Sequence, residues 1–183
     1  MDSDKELSAK EIFIKYNCSS FCMMRENPPL YDYYKSLHIS KKEEIIWRKE
    51  QLKEYYLQLM KNDSKSDIWK VVYNMYYLVE DLRDKESIFL IKSAIESLLD
   101  DLDKENQLLI AETIVGRTNN SARRGLIFLS YDIGEKITAM DFSIIALNLL
   151  NGASEQDNYK ERVIYNKNKC FDIIKKLKLK WKS

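Results

Sequence analysis

The stretch "IWKVVYNMYYLVEDL", residues 68–82, decides the fold class. Ile68, Val71, Val72, Met75, Tyr76, Val79 and Leu82 fall at offsets of 3, 4, 7, 8, 11 and 14. That is the spacing of one face of an α-helix, whereas a half-buried strand alternates with period two. Five further faces follow toward the C-terminus: Ile88, Ile91, Ile95 and Leu98; Leu108, Ala111 and Val115; Ala122, Leu126, Leu129 and Ile133; Met140, Ile144 and Leu147; Val163, Cys170, Ile174 and Leu177. The polar turns "RDKES" and "DDLDKEN" separate the first three. Gly116, Gly134 and Gly152 read as stops for the third, fourth and fifth, since glycine adopts the left-handed conformation that ends a helix at little cost, and the sixth ends in a lysine-rich tail. No stretch shows sustained period-two alternation.

Toward the N-terminus, "SAKE" at Ser8–Glu11 has the form of a capping box and opens a short helix through about Asn17. "CSSFCMMRENPP", residues 18–29, reads as an irregular linker in which Pro28 and Pro29 oppose helix. "LYDYYKSL", residues 30–37, reads as a short helix. "SKKE" at Ser40–Glu43 is a second capping box, opening a long helix to about Lys61 with Ile46, Leu52, Tyr56, Leu59 and Met60 among its apolar positions. "NDSKSD" breaks it. The expected organisation is a helical N-terminal region, 1–62, followed by a regular helical region, 63–183, within one continuous domain.

Composition agrees with helix and excludes several classes of function. The 183 residues are 45% apolar and 32% charged with only four Gly and two Pro, so few residues break a helix. A net charge of +1 gives no global field for nucleic acid or anionic membrane. The N-terminal "MDSDKELSAKE" lacks the apolar core of a signal peptide, and no apolar run approaches bilayer length. Three cysteines without secretory context point to reduced thiols and a cytoplasmic location. Low Gly with high Lys, Asn and Ile suggests an AT-rich, bacterial genome.

Gly116, Gly134 and Gly152 are 18 residues apart, twice, and helix starts fall near 68, 86, 104, 121, 139 and 158. One helical hairpin per about 36 residues is the period of an α-solenoid, in which each hairpin buries its second apolar face on a neighbour. The segments "DKESIFLIKSAIESLL" from Asp84, "NSARRGLIFLSYDIG" from Asn120 and "NYKERVIYNKNKCFDIIKKL" from Asn158 can be superposed. The second and third resemble the inner helix of HEAT-type repeats, with Arg124 and Arg162 where that family often carries a structural arginine. The resemblance covers residues 66–177 and departs from the family in its larger side chains and in lacking the turn aspartate before Ser121. It implies an all-α, right-handed α-solenoid of about three helical hairpins behind the helical N-terminal region.

The chemistry-bearing residues are few. The glycines flanking "RTNNSARR" match neither the Walker A nor the dinucleotide spacing, so no cofactor is expected. Arg123 and Arg124 fall at a helix start, where a cation opposes the helix dipole. Either a carboxylate of an adjacent hairpin or an anionic ligand, held together with Arg117, offsets that cost. His38 is the only histidine, which excludes paired-histidine metal sites. Cys18 and Cys22 form a lone C-x3-C pair, read as free thiols, and Cys170 lies on an apolar face. Glu80–Glu105 holds nine acids against four bases, with Asp84 opening one turn and Asp100, Asp101, Asp103 and Glu105 another. Lys160–Ser183 holds nine bases against two acids, and its "KKLKLKWKS" suits a helix C-terminus, or contact with nucleic acid or anionic lipid. Nine of twelve tyrosines lie at or before Tyr77. Trp69 and Tyr76 share a helical face suited to packing, and Tyr73 and Tyr77 point elsewhere, suited to an interface.

The expected function is non-catalytic protein binding, with no metal and no membrane partner. Small stand-alone HEAT-like proteins include immunity proteins that neutralise a toxin. By that resemblance, Asp84, Asp100, Asp101, Asp103 and Glu105, with Tyr73 and Tyr77, would meet a basic toxin such as a nuclease. The rival expectation is a nucleic-acid-binding HEAT-like protein that uses Arg117, Arg123, Arg124 and the C-terminal lysines in a basic groove.

Overall fold

The computed structural model describes residues 7–61, 67–116, 125–154 and 156–181, with side chains through Lys178. Among these residues there are ten α-helices, one 3-10 turn and no strand. The chain forms two units, Met1–Tyr55 and Tyr56–Ser183, and the division falls inside the fourth helix.

In the first unit, α1 (Ala9–Lys15) is opened by the capping box: the Glu11 amide donates to Ser8 Oγ at 3.3 Å, and the Ser8 amide to Glu11 Oε2 at 2.8 Å. The hydroxyl of Ser8, followed by its amide, holds the Glu11 carboxyl below its ordinary pKa. The expected linker is instead a helix, α2 (Ser20–Glu26), capped by Ser19, which accepts from the Cys22 amide at 3.3 Å. The two prolines do not oppose the next helix; they begin it. Pro28 is the first residue of α3 (Pro28–Ser36), where its missing N–H would have had no intrahelical partner, and Asn27 caps the Leu30 amide at 3.2 Å. The long helix α4 (Lys41–Lys61) opens on its capping box, with the Glu43 amide donating to Ser40 Oγ at 3.2 Å and the Ser40 amide to Glu43 Oε2 at 2.9 Å. Of its expected apolar face, Leu52 and Leu59 are buried while Ile46 and Met60 are exposed. The core of this unit is built on Phe13. The Tyr34 ring stacks on it at 5.6 Å, Trp47 lies tilted at 6.0 Å, and the Arg48 guanidinium sits over it at 4.8 Å.

The second unit contains α5 (Ile68–Leu82), α6 (Lys85–Leu98), α7 (Lys104–Val115), α8 (Leu126–Asp132), α9 (Lys136–Ala153) and α10 (Lys160–Trp181), the last preceded by the 3-10 turn Asp157–Tyr159. Arg83, at φ 48°, ends α5 in the left-handed conformation; Asp84 and Asp103 cap the helices that follow through the Ser87 and Asn106 amides at 2.9 and 2.7 Å.

Helix α7 is the centre of this unit. It packs against α5, α8, α9 and α10, and every residue from Leu108 to Gly116 is buried. The sequence assigned it one apolar face; it is covered around its whole circumference.

Helix α9 also departs from its expected face. Its buried side is Ala139, Phe142, Ser143, Ala146, Leu149, Leu150 and Ala153. The expected face is turned outward: Ile144 is 56% exposed, and Met140 and Leu147 are half-buried. Small side chains let helices approach closely, and the buried Ser143 hydroxyl is satisfied by the Ala139 carbonyl at 2.9 Å. Phe142, Ile145, Leu149 and Leu150 are buried along with them, while Ile144 is turned outward.

The evenly spaced glycines have different roles. Gly116 and Gly134 have φ of 97° and 89° and follow helix ends. Gly152 lies inside the last turn of α9, where a Cβ would meet Gln107 Oε1 at 2.3 Å. Gly125 is the most constrained of the four, because a Cβ there would stand 2.3 Å from the Ile114 carbonyl oxygen and 2.4 Å from the Gly116 amide nitrogen.

Candidate partner-binding surface

The start of α5 and the α6–α7 turn are joined by one buried side chain. Asn106 Oδ1 accepts the Trp69 amide at 3.0 Å, and Asn106 Nδ2 donates to Asp103 Oδ1 at 3.0 Å. Trp69 is the first of a row of aromatics. Its ring lies 6.4 Å from Tyr73, and Tyr73 meets Tyr77 edge-on at 4.7 Å with the two hydroxyls 2.6 Å apart. Tyr76 is buried behind them, while Trp69, Tyr73 and Tyr77 are half-buried. Tyr73 and Tyr77 therefore offer ring surface, and their hydroxyls are directed at one another.

Asp100, Asp101, Asp103 and Glu105 are all exposed at this end of the unit. Asp103 is also committed to capping α7. Asp100, Asp101, Asp103 and Glu105 thus share the turn whose Asn106 holds the start of α5, and Tyr73 stands one helical turn along α5 from Trp69. Tyr77 lies one helical turn further along the same row.

Asp84 does not join them. It caps α6 at its start, accepting from the Ser87 amide at 2.9 Å and hydroxyl at 3.1 Å. The acidic turn follows the end of α6, about 20 Å away along a 14-residue helix. The acidic stretch in sequence is two separate places in space.

A second polar constellation, at the other end of α7, was not apparent in the sequence. Glu112, inside the apolar run "LLIAETIV", has a side chain only 11% exposed and accepts from Arg162 Nε at 3.0 Å and Nη2 at 2.9 Å. Asn166 Nδ2 donates to the same carboxylate at 3.3 Å. Lys169 donates to the Gly116 carbonyl, where burial lowers its pKa against the opposing pull of Glu112. Paired forks of this kind hold helices in register. Arg162 was legible as a structural arginine, but its partner was not. The available signal was a lone carboxylate in an otherwise apolar helix, which requires a cation to be buried.

Arg117, Arg123 and Arg124, the alternative anion-binding positions, lie outside the described residues. His38 is exposed at φ 53°, with Nδ1 2.6 Å from the Ser36 carbonyl. The buried Cys170 thiol donates to the Ser143 carbonyl at 3.7 Å, and burial pushes its pKa up to about 11, far from a reactive thiolate. Among the described residues, no three His, Cys, Asp or Glu side chains are grouped to hold a metal ion, and no helix is long and apolar enough to cross a membrane. No protein-family model matches the chain, and neither the curated proteins nor the solved structures contain a significant match to it.

Proposed function

We propose that this chain is a non-catalytic, cytoplasmic protein-binding protein, an immunity protein whose partner is a basic toxin. The observation that carries the reading is the adjacency of exposed carboxylates in the α6–α7 turn to half-buried aromatic rings on α5. Aromatic surface provides contact area at low entropic cost, and exposed like charges around it speed the encounter with a cationic partner. Asp100, Asp101 and Glu105 carry the steering, Trp69 and Tyr73 form the anchor, and Asp84 drops out because of its distance.

We read the second unit as a short HEAT-like stack of three hairpins, α5–α6, α7–α8 and α9–α10. The support is that α5 packs on α7 and α7 on α9, in chain order. One contact departs from a strict row, in which a repeat touches only its neighbours: α6 of the first hairpin reaches α9 of the third, through Lys85 with Glu135 at 2.9 Å and Lys92 with Asp141 at 3.4 Å.

Co-expression with the product of the adjacent gene tests the function. The expected result is a stoichiometric complex whose association slows with added salt and slows again on reversing Asp100, Asp101 and Glu105 to Lys. A complex indifferent to salt and to charge reversal would reject the acidic surface. Absence of any complex, with toxicity unrelieved, would reject the immunity reading.

A further inference from the structure

Helix α10 buries one side and opens the other. Val163, Asn166, Cys170, Ile173 and Leu177 are buried, so the opposite side faces solvent. At about 3.6 residues per turn, the midline of that side is Glu161, Asn168 and Lys175, spaced by seven residues and all exposed. Ile164 and Phe171 form one flank, 52% and 56% exposed, and Tyr165 and the exposed Asp172 form the other. Among the described residues, the side chains of Glu161, Asn168, Asp172 and Lys175 make no hydrogen bond or ion pair, so the fold itself does not use them.

The order along this stripe fits its own reverse. Glu161 stands seven residues before Asn168, and Lys175 seven after it. Ile164 stands four before and Phe171 three after; Tyr165 stands three before and Asp172 four after. Consider two copies of α10 lying antiparallel, related by a two-fold axis at Asn168 that is normal to both helices and to the line between them. Such an axis reverses the order along the helix and keeps each flank on its own side, as a self-complementary interface requires. Glu161 then faces Lys175 of the second copy, Ile164 meets its Phe171, and Tyr165 meets its Asp172, each twice, with the two Asn168 amides together on the axis. Lys160 and Lys178 of opposite copies approach only at the rim, where solvent and salt screen them. Parallel copies in register would instead set Glu161 on Glu161 and Lys175 on Lys175.

We infer that the outward stripe of α10 is a self-association surface that takes a second copy of this chain, antiparallel about Asn168. The occupant is argued from charge complementarity: each midline charge meets its opposite only when the stripe is paired with its own reverse, and the same pairing sets the apolar flank on itself. The stripe is far smaller than the roughly 20–30 residues a side of a stable interface, so the dimer is weak, with a dissociation constant of about 10–100 µM. The inference does not rest on the proposed toxin-binding surface.

Sedimentation equilibrium of the full chain, from about 10 µM to 1 mM, tests it. The mass should rise with concentration from 21.8 kDa toward twice that value. Glu161→Lys and Lys175→Glu should each weaken the dimer about tenfold or more, and the double variant, which exchanges the two charges, should restore it. Phe171→Ser should weaken it about tenfold or more. In a Cys22→Ser background, Asn168→Cys should oxidise readily to a disulfide-linked dimer. Lys178→Cys should not, because its two copies stand about 30 Å apart across the axis. The α10 positions are exposed, so unchanged thermal melts show that each variant is folded. A mass constant at 21.8 kDa over the whole range would overturn the inference. So would a dimer indifferent to Glu161→Lys, a double variant as weak as the single ones, or cross-linking through Lys178→Cys and not through Asn168→Cys.

Discussion

Replacing Arg162 by methionine removes the two guanidinium donors, Nε and Nη2, from the Glu112 carboxylate, which still accepts from the Asn166 amide at 3.3 Å. Stripping one partner from a fully buried ion pair costs about 3–5 kcal/mol. Here the carboxylate side chain is 11% exposed but the arginine is 48% exposed, so water can reach the vacated space. The expected cost falls to about 2–3 kcal/mol. Glu112→Leu leaves the arginine able to turn to solvent and should cost only about 1 kcal/mol, mainly from the buried Asn166 amide losing one acceptor. The double variant Glu112→Leu/Arg162→Met exchanges a charged pair for apolar contact and should lie nearer the parent than Arg162→Met does. The coupling energy is then about 2 kcal/mol. Urea denaturation of the four proteins measures it, provided the m-value is constant across the set. Additive costs, with coupling below about 0.5 kcal/mol, would refute the claim that this pair ties α10 to α7.

Other outcomes follow from the same geometry. Gly125→Ala forces a methyl into the Ile114–Gly116 backbone and should destabilise by about 2 kcal/mol or more, whereas Gly152→Ala meets only the movable end of Gln107 and should cost under about 1 kcal/mol by thermal melt. The Glu11 and Glu43 carboxyls are held below their usual pKa by Ser8 and Ser40, hydroxyl first and amide second. Their contribution to helix capping is therefore complete above the ordinary carboxylate pKa and is lost as pH falls through the lower folded value. An NMR pH titration should show the α1 and α4 amino termini fraying only below that range, and fraying near pH 6 would contradict it. Cys170, fully buried with a thiol pKa near 11, should resist iodoacetamide at pH 8 while the partly exposed Cys22 reacts. Equal labelling of the two in the native protein would show that the α9–α10 seam opens.

Much of the helical architecture is legible because helix ends are local chemistry. Ser8 with Glu11 and Ser40 with Glu43 announce themselves in four residues each, and both boxes form. The prolines mislead because their effect depends on position: at Pro28, the first residue of a helix, the missing N–H costs nothing. The face of α9 is misread for a different reason. Ranking residues by hydrophobicity selects Met140, Ile144 and Leu147, while close helix packing selects Ala139, Ser143 and Ala146. The glycine spacing suggests a ruler, yet Gly116 and Gly134 serve positive φ and Gly152 serves close approach. The candidate site was half legible. Aromatic and acidic residues were visible as compositions, but Asn106, which joins them, is an ordinary polar residue whose burial only the tertiary fold creates. Equally, linear proximity grouped Asp84 with the acidic turn, and the length of α6 separates them.

In the proposed function, partner recognition lies at the aromatic start of α5 and the acidic α6–α7 turn. Hydrogen–deuterium exchange of the chain, free and bound to the product of the adjacent gene, tests that placement most directly. Slowed exchange on binding at residues 67–77 and 99–106, with the amides of α9 and α10 unchanged, is the predicted result. Protection confined to α9 and α10, with the α6–α7 turn exchanging as in the free protein, would contradict it.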